Sequence, residues 1–186
     1  MLLSLVGLAC STLHGGWWDP RFDLPGANGR IQSLVEFHGA LYAVGYFTRI
    51  AGVDAPGVAR WDGTNWVAVQ PGLNATVGAA VATDDAIYFT ANQQRLDQPS
   101  GLLRWDGNTW SAPGMPQGYR DALRLLLNGT NIYAEVFPYA DVNSATPLHM
   151  LAKWDGNSWS ILAAASFNPL SGLAFAQDTL YAAGSL

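Results

Sequence analysis

A seven-residue motif that recurs three times constrains the fold of this chain more than any other feature. The copies are Arg60–Trp66, Arg104–Trp110 and Lys153–Trp159, and each begins with a basic residue followed by Trp-Asp-Gly and ends with Trp. The first Trp of each copy is separated from the next by 44 and then 49 residues. A fixed period of about 20 to 50 residues is typical of repeat architectures.

A second marker, an aliphatic residue followed by Tyr, keeps the same period. It occurs at Leu41–Tyr42, Ile87–Tyr88, Ile132–Tyr133 and Leu180–Tyr181, with the Tyr residues 46, 45 and 48 positions apart. Because two independent markers keep one period and one order, the sequence establishes an internal repeat.

Each unit is expected to contain two hairpins. Gly63–Thr64 suits a two-residue type II′ loop, in which glycine takes the positive φ, so that Trp61 faces Trp66 across the hairpin. Such a cross-strand pair contributes roughly 0.2 to 1 kcal/mol over Ala. Upstream, residues 33–37 and 41–44 flank His38–Gly39 as a second pair of strands. The same pattern returns around Asp84–Asp85, Gly129–Thr130 and Gln177–Asp178.

Four short strands per unit, with no helical periodicity, predict an all-β chain of the β-propeller type. We expect a partial propeller of about three and a half four-stranded blades. The predicted divisions are a possible leader at 1–16 and a propeller domain at 17–186, with blades at about 28–70, 75–113 and 118–162 and a half-blade at 170–186. Propellers usually close with about four to eight blades, so we expect a fragment of a longer repeat protein. The alternative is closure by self-association through unpaired strand edges, or by residues 17–22 completing the last blade.

The first ten residues predict export. Met1–Cys10 is apolar but shorter than the roughly 20 residues that span a bilayer, and it fits the apolar region of a signal peptide. The basic segment that should precede such a region is missing. Cys10 resembles a lipid-attachment cysteine, although Gly7 stands where a large aliphatic residue is expected. We expect an extracellular or cell-envelope location, with a lipid anchor at Cys10 as the only link to a membrane; the alternative is a strand at 2–9.

Composition excludes several classes of function. A net charge of -5 with only 9 Lys and Arg provides no electrostatic footprint for nucleic acid. Three His and one Cys cannot form a Cys/His zinc site or an internal disulfide. We therefore predict no cofactor, no metal and no nucleic-acid partner.

The segments Leu41–Thr48, Ala51–Val53 and Val58–Gly63 carry a family resemblance. Their strand Leu-Tyr-Ala-Val-Gly-Tyr-Phe-Thr and hairpin Ala-Arg-Trp-Asp-Gly resemble blades of bacterial and fungal propeller proteins, with the cortical polarity-marker family and kelch or galactose-oxidase-like propellers as the nearest. The resemblance covers about 17–186, although the second and third units keep only the Tyr and the Trp-Asp-Gly hairpin. It implies an extracellular or envelope-exposed propeller and no particular activity, since one fold hosts many functions.

The residues that recur in every unit favour structural roles. Asp62, Asp106 and Asp155 are predicted to bond nearby backbone in their turns. Gly63 follows Asp62 directly, which differs from the sialidase Asp-box and disfavours a sialidase. The histidines occupy unrelated positions in the repeat, which disfavours copper chemistry; they are His14, His38 and His149. The basic residues before the Trp are expected to pack their stems on neighbouring rings or to pair with acids; they are Arg60, Arg104 and Lys153.

The residues that differ between units are the better candidates for binding. The variable loops are 45–57, 91–101 and 135–150, predicted to share the face opposite the Trp-Asp-Gly hairpins. Their polar residues could line a pocket or form a solvated rim; they are Arg49, Asp54, Arg95, Asp97, Glu135, Asp141 and His149. Asp84–Asp85 is a poor acid/base couple, because adjacent strand residues point to opposite faces.

The sequence thus predicts a non-enzymatic binding or scaffold module for a protein or glycan ligand, with no catalytic, cofactor-binding or metal-binding residue assigned. The alternative is a fragment of a propeller enzyme, carbohydrate-active or oxidase-like, whose catalytic residues lie in other blades. A third possibility is a filament assembled through unpaired strand edges.

Overall fold

The computed structural model describes residues 26–69, 76–92, 101–138, 149–167 and 170–184, which form strands and turns with no helix. The strands are β1 (Arg30–Phe37), β2 (Ala40–Tyr46), β3 (Arg49–Ile50), β4 (Val53–Asp54), β5 (Val58–Trp61), β6 (Trp66–Ala68), β7 (Thr76–Ala82), β8 (Ile87–Asn92), β9 (Gly101–Trp105), β10 (Trp110–Gly114), β11 (Tyr119–Asn128), β12 (Asn131–Pro138), β13 (His149–Trp154), β14 (Trp159–Phe167), β15 (Leu170–Ala176) and β16 (Thr179–Gly184). The prediction of an all-β chain is confirmed.

The strands form three four-stranded antiparallel sheets and two hairpins. The first sheet is β1-β2-β5-β6, the second β7-β8-β9-β10 and the third β11-β12-β13-β14. β15 and β16 form a separate hairpin, and β3 and β4 form a short one inside the connection from β2 to β5. Each predicted four-strand unit is therefore one sheet, although the third extends to Phe167, beyond the predicted 162.

The Trp-Asp-Gly hairpins have the predicted geometry. Trp61 pairs with Trp66 across β5 and β6, and their ring centroids lie 5.5 Å apart. The Asp62 Oδ1 atom accepts hydrogen bonds from the backbone N–H groups of Thr64 at 2.8 Å and Asn65 at 2.7 Å. The other two hairpins repeat both features, and the glycine φ angles are +102°, +99° and +99°. These aspartates therefore have the turn-forming role that the sequence predicts.

The aliphatic-Tyr marker reflects burial on both faces of the second strand in a sheet. In β8, Ile87 packs into an apolar cluster shared with the first sheet, whereas Tyr88 packs into one shared with the third sheet. Ile132 likewise contacts the second sheet, and the Tyr133 ring packs against Phe175 of the β15–β16 hairpin. Because adjacent strand residues point to opposite faces, one dipeptide joins a sheet to both of its neighbours.

The sheets pack face to face, and their first strands lie against one another. β7 contacts both β1 and β11, and β11 contacts β15. We call the packing of the first sheet on the second the first junction, and the packing of the second sheet on the third the second junction. Both are apolar, with Phe37, Phe89 and Trp105 among the buried residues of the first.

The predicted variable loops are partly strand. Segment 45–57 contains the β3–β4 hairpin, and Glu135 lies within β12. The Glu135 side chain is buried and accepts a hydrogen bond there instead of facing solvent. Residues 1–25, which include the predicted leader Met1–Cys10 and the segment 17–22, lie outside the described residues, as do 93–100 and 139–148. Within the described part of the chain, no helix is long and apolar enough to cross a membrane.

Candidate functional site

A cleft of about 810 Å³ lies at the second junction, at the end of the strands where the Trp-Asp-Gly hairpin of the third sheet turns. The second sheet and third sheet each contribute a hairpin tip, and the walls combine aromatic, carboxylate and guanidinium groups. The lining residues are Ala82, Thr83, Asp84, Asp85, Tyr88, Arg104, Ser111, Ala112, Pro113, Leu127, Gly129, Thr130, Trp154, Asp155, Gly156 and Asn157. The volume lies within the range of about 300 to 1,000 Å³ that is typical of ligand sites.

One wall of the cleft is the turn between β7 and β8. The Thr83 N–H donates to Ala86 O at 2.8 Å, and the Thr83 hydroxyl donates to Asp85 Oδ1 at 2.5 Å. The Ala86 N–H in turn donates to Thr83 Oγ1 at 3.2 Å. Thr83 therefore organises its own turn, and Asp84 and Asp85 lie exposed at the tip.

Among the described residues that line the cleft, Arg104 is the one cation, and it is already paired. Arg104 Nη2 lies 3.1 Å from Asp85 Oδ2, and Nη1 lies 3.7 Å from Asp106 Oδ2. The hydrogen bond to Asp85 raises the pKa of Arg104, and the Thr83 hydroxyl lowers the pKa of Asp85. Backbone N–H groups, first that of Ser158, lower the pKa of Asp155. Three lining carboxylates against one guanidinium leave the cleft with a negative balance at neutral pH.

The first junction is filled at the corresponding place. Phe37 pairs with Ala40 across its turn as Thr83 pairs with Ala86, so the two residues occupy equivalent positions. The Phe37 ring is 3% exposed and packs against the second sheet. A Cβ atom placed on Gly107 would lie 3.7 Å from this ring, whereas one placed on Gly156, the equivalent glycine in the cleft, has nothing within 4 Å. Thr83, at the position equivalent to Phe37, is smaller and polar, and the cleft lies beside it.

The structure brings the predicted rim residues together only in pairs. Arg49 Nε lies 2.8 Å from Asp54 Oδ1 on the exposed β3–β4 hairpin. His149 Nδ1 lies 2.6 Å from Glu135 Oε1 in the third sheet, where both side chains are buried. Arg95, Asp97 and Asp141 lie outside the described residues. Neither pair lines the cleft, which is formed at the opposite end of the strands.

Glu135 belongs to a buried polar network that links the third sheet to β15. Its Oε1 atom accepts a hydrogen bond from the Leu170 N–H at 2.9 Å, and the Arg124 Nε–H donates to Leu170 O at 2.7 Å. Arg124 Nε also lies 3.2 Å from Glu135 Oε2, an ion-pair contact that supplements the hydrogen bond to Leu170. Because these groups fasten one backbone segment to another, the network has a structural role.

No protein-family model matches this chain, and no curated protein matches its sequence. Among the described residues, no group of three or more His, Cys, Asp or Glu side chains could hold a metal ion.

The sequence analysis missed the cleft, although a signal for it was present. Aligning the units on the aliphatic-Tyr marker places Phe37, Thr83, Asn128 and Ala176 at one position, and only the first of these is large and apolar. A recurrent fold with a bulky residue in one unit and small or polar residues in the others predicts a cavity where the bulk is lost. Arg104 was assigned a packing or pairing role, and its pairing with Asp85 is confirmed.

Proposed function

We propose that this chain is part of a β-propeller and that it is a non-enzymatic binding module, exported or exposed on the cell envelope, which takes its ligand in the cleft at the second junction. The propeller assignment is supported by three successive four-stranded sheets whose first strands contact one another in chain order. Inner strands in this arrangement surround a common axis in propellers. The exported location rests on Met1–Cys10.

The observation that carries the binding function is the difference in filling between two equivalent junctions. A cleft of about 810 Å³ lies at the second junction, whereas Phe37 closes the equivalent place at the first. Its walls join apolar surface to a few polar groups, the combination that is typical of ligand sites.

The function is tested with one filled-cleft variant and one matched control. Thr83→Phe restores the aromatic residue of the first junction, and Ala176→Phe makes the same kind of change at the equivalent exposed position of the β15–β16 hairpin. Arrays of synthetic peptides and of glycans are probed with the three proteins. We expect a ligand class that the original protein and Ala176→Phe retain and Thr83→Phe does not.

Mass spectrometry of the retained ligand after incubation tests the absence of catalysis. We expect the ligand mass to be unchanged, and a product that forms with the original protein and not with Thr83→Phe would establish an enzyme instead. Equal retention by all three proteins, or retention by none, would remove the cleft as the binding site.

A further inference from the structure

At the first junction, Phe37 occupies the place that is equivalent to the cleft of the second junction. Phe37 is wedged between the sheets, with its ring centroid 6.2 Å from that of Tyr42 and at 63° to it. The equivalents of its neighbours Tyr42 and Trp105 are Tyr88 and Trp154, and both of these line the cleft. Tyr88 and Trp154 are 6% and 8% exposed, so each has only a small part of its surface at the cleft.

The residue after Phe37 supplies a polar contact that the second junction lacks. The His38 ring stacks on Phe37 with centroids 3.9 Å apart, and its Nε2 atom lies 2.9 Å from Asp84 O. A carbonyl oxygen only accepts, so Nε2 is the donor. The carbonyl equivalent to that of Asp84 belongs to Gly129, which lines the cleft. The residue equivalent to His38 is Asp84, whose side chain accepts hydrogen bonds as a carboxylate instead of donating one from a ring nitrogen.

The negative charge of the cleft favours a positively charged hydrogen-bond donor from the ligand at the place equivalent to His38. Asp84 is exposed at the rim, and Asp85 and Asp155 line the same cleft, while Arg104 is already paired with Asp85. A positively charged donor beside the aromatic ring would meet both the Gly129 carbonyl and a negative field.

We propose that the cleft binds an extended peptide through an aromatic side chain that inserts where Thr83 leaves space, followed directly by a positively charged residue at the rim. The ligand therefore reproduces the Phe-His pair of the first junction in trans. This inference rests on the proposed function, because it names the ligand class of the same cleft.

The test uses the full chain and a blocked tetrapeptide, acetyl-Gly-Phe-Lys-Gly-amide, titrated by calorimetry and by NMR. We expect saturable binding at one site, with chemical-shift changes at Gly129 and at the Trp154 indole N–H. Replacing the peptide Phe by Ala should weaken binding by about tenfold or more, since it removes the buried apolar surface. Replacing the peptide Lys by Glu should weaken it by about two- to fivefold, the range expected for an exposed charge contact.

Two protein variants place the peptide in the cleft. Thr83→Phe should abolish binding, and Ala176→Phe should leave it unchanged. Asp84→Lys, at an exposed position that carries little risk to folding, should reverse the charge preference, so that acetyl-Gly-Phe-Glu-Gly-amide binds more tightly than the Lys peptide.

The outcomes separate this inference from the proposed function. If no aromatic peptide binds but a glycan binds the original protein and not Thr83→Phe, the ligand class is wrong and the binding module stands. If the peptides bind all variants equally, or with no preference for Phe and Lys, the inference is overturned. If neither peptides nor glycans bind, both proposals fall.

Discussion

The two sheet junctions share their recurring residues and differ in the residues of one turn, Phe37–His38 at the first and Thr83–Asp84 at the second. At the first junction Phe37 and His38 close the end of the interface against Gly107 and the Asp84 carbonyl. At the second, Thr83 turns its hydroxyl into its own hairpin, and a cleft of about 810 Å³ remains. The repeated tyrosine and tryptophan residues keep the sheets together in both cases. The packing of the sheets is therefore encoded by residues that recur in every unit, whereas the cleft is encoded by turn residues that differ between units.

Removing the ring that fills the first junction should have the largest effect. Phe37→Ala is expected to lower the free energy of unfolding by about 3 to 5 kcal/mol, because it deletes a fully packed aromatic side chain and leaves a cavity. Urea denaturation measures the loss. Leu34→Ala, at a position 58% exposed in the same strand, should cost less than about 0.5 kcal/mol. Similar losses for the two variants would mean that Phe37 does not close the junction.

The contact between the third sheet and β15 provides a polar counterpart to these junctions. Glu135→Ala should cost about 2 to 3 kcal/mol, because it leaves the buried Leu170 N–H and the His149 ring without their acceptor. The Arg124 side chain is 42% exposed and can be hydrated, which limits the loss. Hydrogen exchange at Leu170 should accelerate together with the fall in stability.

An exposed ion pair is the control for that network. Arg49→Ala breaks the contact with Asp54, where both side chains are more than half exposed, and should change stability by less than about 1 kcal/mol. If it matches Glu135→Ala, burial is not what gives the Glu135 network its strength.

Most of the fold could be predicted from the sequence because the same short strand and turn motifs recur in each unit, and their repetition makes each single assignment more certain. Four occurrences of an aliphatic-Tyr pair and three Trp-Asp-Gly hairpins predicted the strands, the turn glycines and the Trp pairs. The recurring motifs did not predict the cleft, since it lies beside Thr83, at a position whose residue differs from unit to unit. The sequence placed Glu135 and His149 in a variable loop that lines a pocket or forms a solvated rim, because sequence spacing gives no information on the hydrogen bonds that bury them.

The Trp-Asp-Gly turn of the second sheet, which faces the first junction, should respond to acid. Hydrogen bonds from the Thr109 backbone N–H and, next, from its hydroxyl lower the pKa of Asp106 to about 2, from an ordinary value of 3.8. A lowered pKa in the folded state means that the stability this group contributes is complete above about pH 4 and is lost as the pH falls toward about 2.

Asp106→Asn tests this dependence, because the amide oxygen can still accept in the turn but does not titrate. Unfolding midpoints measured between about pH 2 and pH 5, the range that spans the two pKa values, should fall less steeply for this variant than for the original protein. Asp54→Asn is the matched control on an exposed hairpin. An unchanged slope for Asp106→Asn would show that the turn carboxylate does not govern the acid response.

The smallest change in stability should come from the cation of the cleft. Arg104→Gln breaks a partly exposed pair with Asp85, so we expect a change of less than about 1 kcal/mol in the free energy of unfolding. Losing the Arg104 charge should not weaken binding of a cationic peptide, because the Asp85 carboxylate is released and the cleft becomes more negative. The affinity for the Phe-Lys peptide should therefore rise, while that for the Phe-Glu peptide should fall.

Arg60→Gln is the equivalent change in the first sheet, where the side chain is exposed and Phe37 fills the junction. It should leave both affinities unchanged. A loss of affinity for both peptides in Arg104→Gln would instead mean that the guanidinium contacts the ligand directly, and the two junctions would then differ in a binding residue as well as in the space between their walls.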